Sequence, residues 1–303
     1  MIKNNLNFSN YFKKANFISL ILFILSIGVI SFKGMNYGID FKGGSLLEIK
    51  ISNNNIDISD VRSSLDGVDL GDVNVKEFGL KGNYLIKIEE KFENNKNLIP
   101  NLKKTINSKL NTEVNYRRVE SVGPKVSSEL LTSGIIAIGL SLAAMLFYIW
   151  VRFEWQFSLG AIIALFHDVI ITLGIFSFLS IEINLSIIAA VLTIVGYSMN
   201  DTVVIYDRIR ENLSKYNRLN ISEIANLSIN ETLSRTLITS ITTLLALFSI
   251  FLLGGEILKG FSFAMILGVI IGTYSSIFVA APILKFFKVD YKTMQKDDDV
   301  ITP

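Results

Sequence analysis

The stretch that decides the fold is TIVGYSMNDTVVIYDRIREN, residues 193–212, which begins as an apolar helix and ends in charged residues. Asp201 lies within its apolar part, directly after Asn200. A carboxylate inside a membrane span is energetically costly, and it is therefore a functional-site hypothesis by default. At 100° per residue, Tyr197 and Ser198 share the helix face of Asp201. Asp201 is accordingly a candidate proton site, with Asn200 as a further member of the proton pathway; the alternative for Asp201 is a static buried pair or a hydrogen bond between helices.

The composition of the chain is that of an integral membrane protein. Of its 303 residues 50% are hydrophobic, the mean hydropathy is +0.46, and several apolar runs reach about 20 residues, the length that crosses a bilayer. The net charge of +2 is too small to indicate a nucleic-acid partner. Cysteine is absent, which excludes disulfides, thiol catalysis and thiolate metal sites, and the single histidine, His167, excludes a histidine-rich metal site. We expect neither a metal ion nor a cofactor.

Six membrane spans are predicted. The first apolar run, Ala15 to Phe32, is interpreted as an uncleaved anchor, because it is long for a signal peptide and no small-x-small cleavage site follows it. Lysines precede this run, and the loops on the same predicted side are rich in Lys and Arg, so the positive-inside rule predicts that both termini lie in the cytoplasm. Five further spans are expected near residues 130–151, 157–179, 184–206, 236–253 and 261–287.

A polar insert, residues 34–128, separates the first two spans, and loop charge predicts that it is exported to the outer face. Gly43 and Gly44 suit a tight turn into a strand, after which apolar and polar residues alternate. Asp57 is a possible cap of the helix that follows, with Gly67 near its end. The other predicted elements are strands at 73–78, 84–92 and 113–122 and a helix at 98–110. This βαββαβ order is typical of ferredoxin-like domains, which occur in many unrelated proteins.

The predicted fold is therefore an all-α membrane bundle of six helices with a small α+β ferredoxin-like domain between helices 1 and 2. Its predicted parts are a cytoplasmic tail (1–14), the first transmembrane helix (15–33), the exported domain (34–128), a five-helix transmembrane bundle (129–287) and a second cytoplasmic tail (288–303).

The predicted fifth span has a polar half, which indicates that it faces other helices or a wet cavity rather than lipid. Thr239 and Thr242 lie on this half and, with Tyr197, are candidates for a second proton relay; hydrogen bonds between helices are the alternative. Arg235 begins the same helix at a depth compatible with Asp201, about 8 Å inward from the end of the fourth span at 1.5 Å per residue. The alternative for this arginine is that it snorkels to lipid phosphates.

The third span carries His167 and Asp168 near mid-depth. They are candidates for the same second relay, and a structural bond to a neighbouring helix explains Asp168 equally well. His167 alone is more often a satisfied interior histidine. No Walker, Gly-x-Ser-x-Gly or His-Glu-x-x-His pattern occurs, so we do not expect an enzyme.

Four segments carry a family resemblance: GIDFKGG (38–44), HDVIITLG (167–174), VGYSMNDTVVIYDRIREN (195–212) and SRTLITSITTLLALFSIFLLGG (234–255). The chain resembles the SecD/SecF family of protein-export membrane proteins, within the resistance-nodulation-division superfamily, and in it the smaller, SecF subunits. The membrane aspartate of the family matches Asp201 and its arginine matches Arg235. The last span also matches the family pattern. Gly268 and Gly272 form a small-xxx-small pair there, with Ser275 and Ser276 one turn on, and the group is interpreted as close helix packing.

The resemblance implies an accessory subunit of the Sec protein translocase that uses proton-motive force to complete preprotein export across the cytoplasmic, or inner, membrane. The implied partners are SecD, the Sec channel with its accessory subunits, the translocating preprotein, membrane lipid and protons. Transporters of this superfamily consist of two related halves, and six spans supply one of them. Two alternatives stay open: a scaffold of the accessory complex without proton transport, and a small-molecule exporter of the same superfamily.

Overall fold

The computed structural model describes residues 6–52, 56–66, 72–77, 79, 81–89, 98–216 and 218–291. These residues form two compact units, a helical bundle (6–36, 137–181 and 186–291) and an α+β domain (within 37–136, with 182–185). A 3-10 turn, Phe8–Asn10, comes first. The elements that follow are α1 (Phe12–Lys33), α2 (Ile39–Lys42), β1 (Gly44–Ile51), α3 (Ile58–Leu65), β2 (Asp72–Glu77), β3 (Asn83–Glu89), α4 (Leu98–Leu110), β4 (Val114–Val122), α5 (Pro124–Arg152), α6 (Trp155–Leu179), α7 (Leu185–Lys215), α8 (Ile221–Leu253), α9 (Glu256–Ser275) and α10 (Ala281–Phe286).

Six of these helical segments are long and apolar enough to cross a membrane, which confirms the predicted number of spans. The longest extensions beyond the predicted spans are those of α7, which continues to Lys215, and α8, which begins at Ile221. Hydropathy falls at the charged residues there, but the helices continue as amphipathic extensions that bury apolar side chains such as Ile209 and Ile229. Polar pairs join the two extensions, including Asn212 with Ser228 at 3.0 Å.

The last span, predicted as one helix, is interrupted. A π-helical turn, Ser276–Ala280, separates α9 from α10. The Tyr206 hydroxyl of α7 donates a 2.9 Å hydrogen bond to the Ala280 carbonyl. Such π turns are frequent at functional sites.

Two glycines set the distance between α7 and α9. A Cβ atom on Gly268 would lie 2.2 Å from Ile194, and one on Gly272 would lie 2.9 Å from Ser198. The sequence predicts close packing from this small-xxx-small pair, and the structure confirms it.

The α+β domain has the predicted βαββαβ order and an antiparallel sheet with strand order β2-β3-β1-β4. Its core includes the fully buried Leu47, Ile86 and Ile106. Asp57 caps α3 in a capping box with Asp60, as its position before the helix predicted. The predicted tight turn is present, with φ of +79° at Gly43 and +123° at Gly44, the first residue of β1.

Some predictions fall outside the described residues. They are Gly67 as the end of a helix, residues 90–92 of the third strand, and residues 1–5 and 292–303 of the two tails.

Candidate functional site

Asp201 is buried, and side chains of two neighbouring helices meet it. Only 3% of its surface is exposed. The Thr273 hydroxyl of α9 donates to Oδ2 at 3.4 Å. Ser240 and Arg235, both on α8, interact with the same carboxylate. Groups from three helices, α7, α8 and α9, therefore converge on one acidic side chain.

The hydroxyl groups around Asp201 also contact each other. Ser240 Oγ and Thr273 Oγ1 lie 2.7 Å apart and bridge α8 to α9. An ionised carboxylate only accepts hydrogen bonds, whereas a protonated one also donates. A change of charge on Asp201 therefore acts on the hydrogen-bonded pair Ser240 and Thr273, which belongs to α8 and α9.

Of the other residues predicted for this pathway, Arg235 interacts with Asp201 although its side chain is exposed, whereas Asn200 is on the exposed side of α7. Tyr197 donates to Thr243 at 3.4 Å. The hydroxyls of Thr239 and Thr242 donate to carbonyls within α8 itself, so the structure does not bring them to the carboxylate.

A second buried carboxylate, Asp168 on α6, has a fuller set of hydrogen bonds. Ser198 of α7 donates to its Oδ2 at 2.5 Å, and Ser275 of α9 donates to the same oxygen at 2.7 Å. His167 Nδ1 lies 2.9 Å from Oδ1. The side chain is 0% exposed. The predicted pair of His167 and Asp168 is thus in contact, and both serines belong to the helices that also surround Asp201.

A third polar contact joins α7 to the π-helical turn after α9, where Thr202 Oγ1 and Ser276 Oγ lie 2.8 Å apart. Sequence reasoning missed Thr273 and treated Ser275 and Ser276 as helix packing alone. The available signal was their position directly after Gly272, where close helix approach lets short hydroxyl side chains reach a neighbour.

Within the described residues, no group of three or more acidic or histidine side chains is placed to hold a metal ion. The site therefore consists of carboxylates, hydroxyls, one arginine and one histidine. Acidic and imidazole side chains of this kind form proton relays in membrane pumps and transporters.

Two family descriptions match the chain. "Protein export membrane protein SecD/SecF, C-terminal" matches residues 102–290, and "SecD/SecF GG Motif" matches residues 28–54. The first match contains both buried carboxylates, Asp168 and Asp201, and the second contains Gly43 and Gly44 at the start of β1.

Curated relatives match over nearly the full length. The protein translocase subunit SecF of Rickettsia bellii (strain OSU 85-389) is 47% identical over 287 residues, with 94% of each chain covered. The protein of the same name from Cereibacter sphaeroides is 42% identical over 273 residues, which covers 87% of this chain and 84% of that one.

Solved structures are also similar. The crystal structure of SecDF from Thermus thermophilus, a translocon-associated membrane protein, superposes with a TM-score of 0.86 at 34% identity and covers 95% of this chain. A SecDF crystal structure in a super-membrane-facing form gives a TM-score of 0.71 at 32% identity over 99% of this chain. The present chain spans 39% and 40% of the lengths of those two chains, so it is similar to less than half of each.

Proposed function

The chain belongs to the SecD/SecF family of protein-export membrane proteins, among its SecF subunits, and we propose that it uses proton-motive force with SecD to complete export of preproteins. The observation that carries this proposal is the convergence of three helices on Asp201. A buried carboxylate at membrane depth with polar neighbours on other helices is the usual arrangement of a proton relay.

The proposed orientation places both termini in the cytoplasm and the α+β domain on the outer face. Loop charge supports it, because Arg152, Arg208, Arg210 and Lys285 all fall near helix ends on one side. An outward domain is positioned to meet a polypeptide that leaves the Sec channel.

The proposed cycle begins with Asp201 ionised, when it accepts the Thr273 hydrogen bond and attracts Arg235. Protonation removes the charge, weakens the attraction to Arg235 and turns the carboxyl group into a donor. A bundle with two arrangements is biased by such a local electrostatic change. One charge that crosses the membrane supplies about 2.3 kcal/mol per 100 mV, which is the driving force for each step.

Movement of the bundle reaches the α+β domain through the chain itself, because α1 leads into this domain and α5 leads out of it. The domain then holds or releases the preprotein. Release on the outer face keeps the polypeptide from sliding back and so converts proton entry into net export.

The test is release of a preprotein into the lumen of inverted membrane vesicles that contain the SecD complex, with and without a pH gradient, because the outer face of the membrane lines that lumen. We expect the gradient to accelerate release with the native chain and to have no effect with Asp201→Asn. Asp207→Asn is the matched control, because it makes the same chemical change on the same helix at an exposed carboxylate paired with Arg152 at 3.1 Å.

Two results count against the proposal. Gradient-stimulated release that is normal in Asp201→Asn removes the role of this carboxylate. Loss of the complex with SecD in that variant supports the scaffold instead, because the side chain is then required for assembly and not for proton coupling.

A further inference from the structure

A groove in the helical bundle lies between α1, α6 and α9, on the side of His167. Its volume is about 560 Å³, within the range of ligand sites in proteins. Apolar side chains of all three helices form most of its wall, among them Ile18, Leu22, Ile171 and Ile271. Ile18 and Leu22 are 53% and 44% exposed, so the groove is open along α1.

The groove has the length of one membrane leaflet. On α1 its lining extends from Tyr11 to Leu22, a rise of about 16 Å at 1.5 Å per residue. The hydrocarbon core of a bilayer is about 30 Å thick, so about half of it corresponds to this length. The occupant that fits is therefore a molecule of one leaflet rather than a helix that crosses the whole membrane.

A positive charge lies at one end of the groove. Lys14 lines it and is exposed, and in the part of the chain that the structure describes no carboxylate forms an ion pair with this lysine. The Tyr11 ring, 61% exposed, lines the same end. A basic side chain and an aromatic ring at the end of a span are the groups that meet phospholipid headgroups.

The floor of the groove contains a polar atom that lacks a hydrogen bond. His167 is 5% exposed, and its Nε2 is buried without a partner among the described residues, whereas Nδ1 contacts Asp168. A buried polar atom in this state is destabilising unless a ligand satisfies it. The groove is the route by which a ligand reaches His167, because this residue lines it.

The depth of His167 can be read from helix packing. A Cβ on Gly174 would lie 2.4 Å from Ser26, which puts these two residues of the parallel helices α6 and α1 at one level. Seven residues earlier on both helices, His167 is level with Ser19. Lys14 is five residues before Ser19, so His167 lies about 7 to 8 Å deeper than the lysine.

We propose that the groove binds one anionic phospholipid. The phosphate pairs with Lys14, one acyl chain lies along the isoleucine and leucine side chains, and an ester carbonyl accepts a hydrogen bond from Nε2–H of the His167 imidazolium, whose Nδ1–H donates to the Asp168 carboxylate. An ester carbonyl of such a lipid lies deeper than its phosphate, in the same direction in which His167 lies deeper than Lys14. This proposal depends on the cytoplasmic orientation proposed above only for the choice of leaflet. With both termini in the cytoplasm, the lipid comes from the inner leaflet.

The headgroup contact is tested with the full chain in detergent, supplied with equal amounts of phosphatidylglycerol and phosphatidylcholine. Bound lipids are counted by native mass spectrometry. We expect one retained lipid and a preference of about five-fold for phosphatidylglycerol, the contribution of one basic side chain. Lys14→Gln should lower the ratio to about one. Lys13→Gln is the matched control, because it removes the same charge from the neighbouring position, which does not line the groove, and it should keep the preference.

The deeper contact is tested with a diether phosphatidylglycerol, which has the same headgroup and no ester carbonyl. We expect the diester lipid to be retained about five-fold better than the diether, the effect of one hydrogen bond. His167→Phe should abolish this difference while keeping the headgroup preference. Ile271→Trp fills the groove and should remove the bound lipid, whereas Ile241→Trp, at an exposed position of α8, should not.

Three outcomes overturn the proposal: equal loss of headgroup preference in Lys13→Gln and Lys14→Gln, no difference between diester and diether lipid, or full lipid retention in Ile271→Trp. Loss of SecD instead of lipid in Ile271→Trp also overturns it, because the groove then receives a partner helix. Asp201→Asn should retain the lipid, so failure of proton coupling and failure of lipid binding are separate results.

Discussion

At the scale of single residues, the two buried carboxylates differ in how completely they are hydrogen-bonded. Asp168 accepts from two serines at 2.5 and 2.7 Å and contacts a histidine, whereas the Thr273 hydroxyl donates to Asp201 at a longer distance of 3.4 Å. Protonation of Asp168 disturbs short hydrogen bonds to two helices. Protonation of Asp201 disturbs the longer and weaker hydrogen bond from Thr273. Asp201 is therefore suited to cycle between charge states, and Asp168 to hold α6, α7 and α9 together.

This difference predicts opposite profiles for two isosteric variants. Asp168→Asn should lower the free energy of unfolding by about 1–3 kcal/mol, because an amide cannot accept all the bonds of a carboxylate. Asp201→Asn should cost less than about 1 kcal/mol and abolish gradient-driven release. Thermal unfolding in detergent and the vesicle assay measure the two quantities, and equal destabilisation by both variants would contradict the assignment.

Thr273 is the second residue whose role can be separated from fold stability. Thr273→Val removes the hydroxyl that donates to Asp201 and contacts Ser240, with almost no change of shape. We expect gradient-stimulated release to fall several-fold, by less than in Asp201→Asn, since a hydrogen bond to a charged group contributes about 1.5–3 kcal/mol.

The matched control for this variant is Thr242→Val, whose hydroxyl bonds only to carbonyls of its own helix. Normal release in the control and reduced release in Thr273→Val is the expected pair of results. The reverse pair would favour the relay through the polar face of α8 that the sequence predicts.

At the scale of helices, the contact between α7 and α9 determines which hydroxyls reach the carboxylates. Gly268→Ala places a Cβ 2.2 Å from Ile194, so the helices must move apart or the isoleucine must leave its rotamer. Overpacking of this kind costs about 1–3 kcal/mol. Gly139→Ala on α5 is the control, because its Cβ meets nothing within 4 Å and alanine is the better helix former. Melting temperatures of the two variants measure the difference, and a fall in the control as large as in Gly268→Ala would show that any helix glycine is needed.

The α+β domain could be predicted from the sequence because its signals are local. Alternation at Leu47 and Ile49 indicates a strand, and Asp57 before an amphipathic run indicates a capped helix. The six spans follow in the same way from apolar runs. The extensions of α7 and α8 could not be predicted from hydropathy, since residues such as Ile209 are buried by a neighbouring helix rather than by lipid.

Asp201 could be predicted as a site residue, but its partners could not. The carboxylate stands out in an apolar run, whereas the approach of Thr273 depends on the rotation of α9 against α7. That rotation results from glycines packed against Ile194 and Ser198. It is a property of the packed helices, so it cannot be derived from the sequence of one helix. Thr239 and Thr242 show the same limit, because a polar face identifies a set of hydroxyls without showing which of them bond within their own helix.

At the scale of the whole molecule, α7 has an exposed face made of small and polar residues, including Ala189, Thr193, Gly196 and Asn200. Residues of this kind are enriched where membrane helices approach closely, and lipid gives them no hydrogen-bond partner. The face lies on the helix that contains Asp201. The chain corresponds to only 39% of the length of the SecDF chain from Thermus thermophilus. We therefore expect the bundle of SecD to cover this face and to shield the proton site from lipid.

This expectation is tested by two leucine substitutions at glycines whose Cβ positions are equally open. Neither Gly196 nor Gly139 has an atom within 4 Å of its Cβ position, so both variants should fold alone with little change in melting temperature. Gly196→Leu should lower the yield of the complex co-purified with SecD at least about five-fold, because loss of close packing at a small-residue contact costs more than about 1 kcal/mol. Gly139→Leu should leave that yield unchanged. Equal yields of the complex with the two variants would show that SecD contacts another face. The proposal that SecD shields Asp201 from lipid at this face would then be wrong.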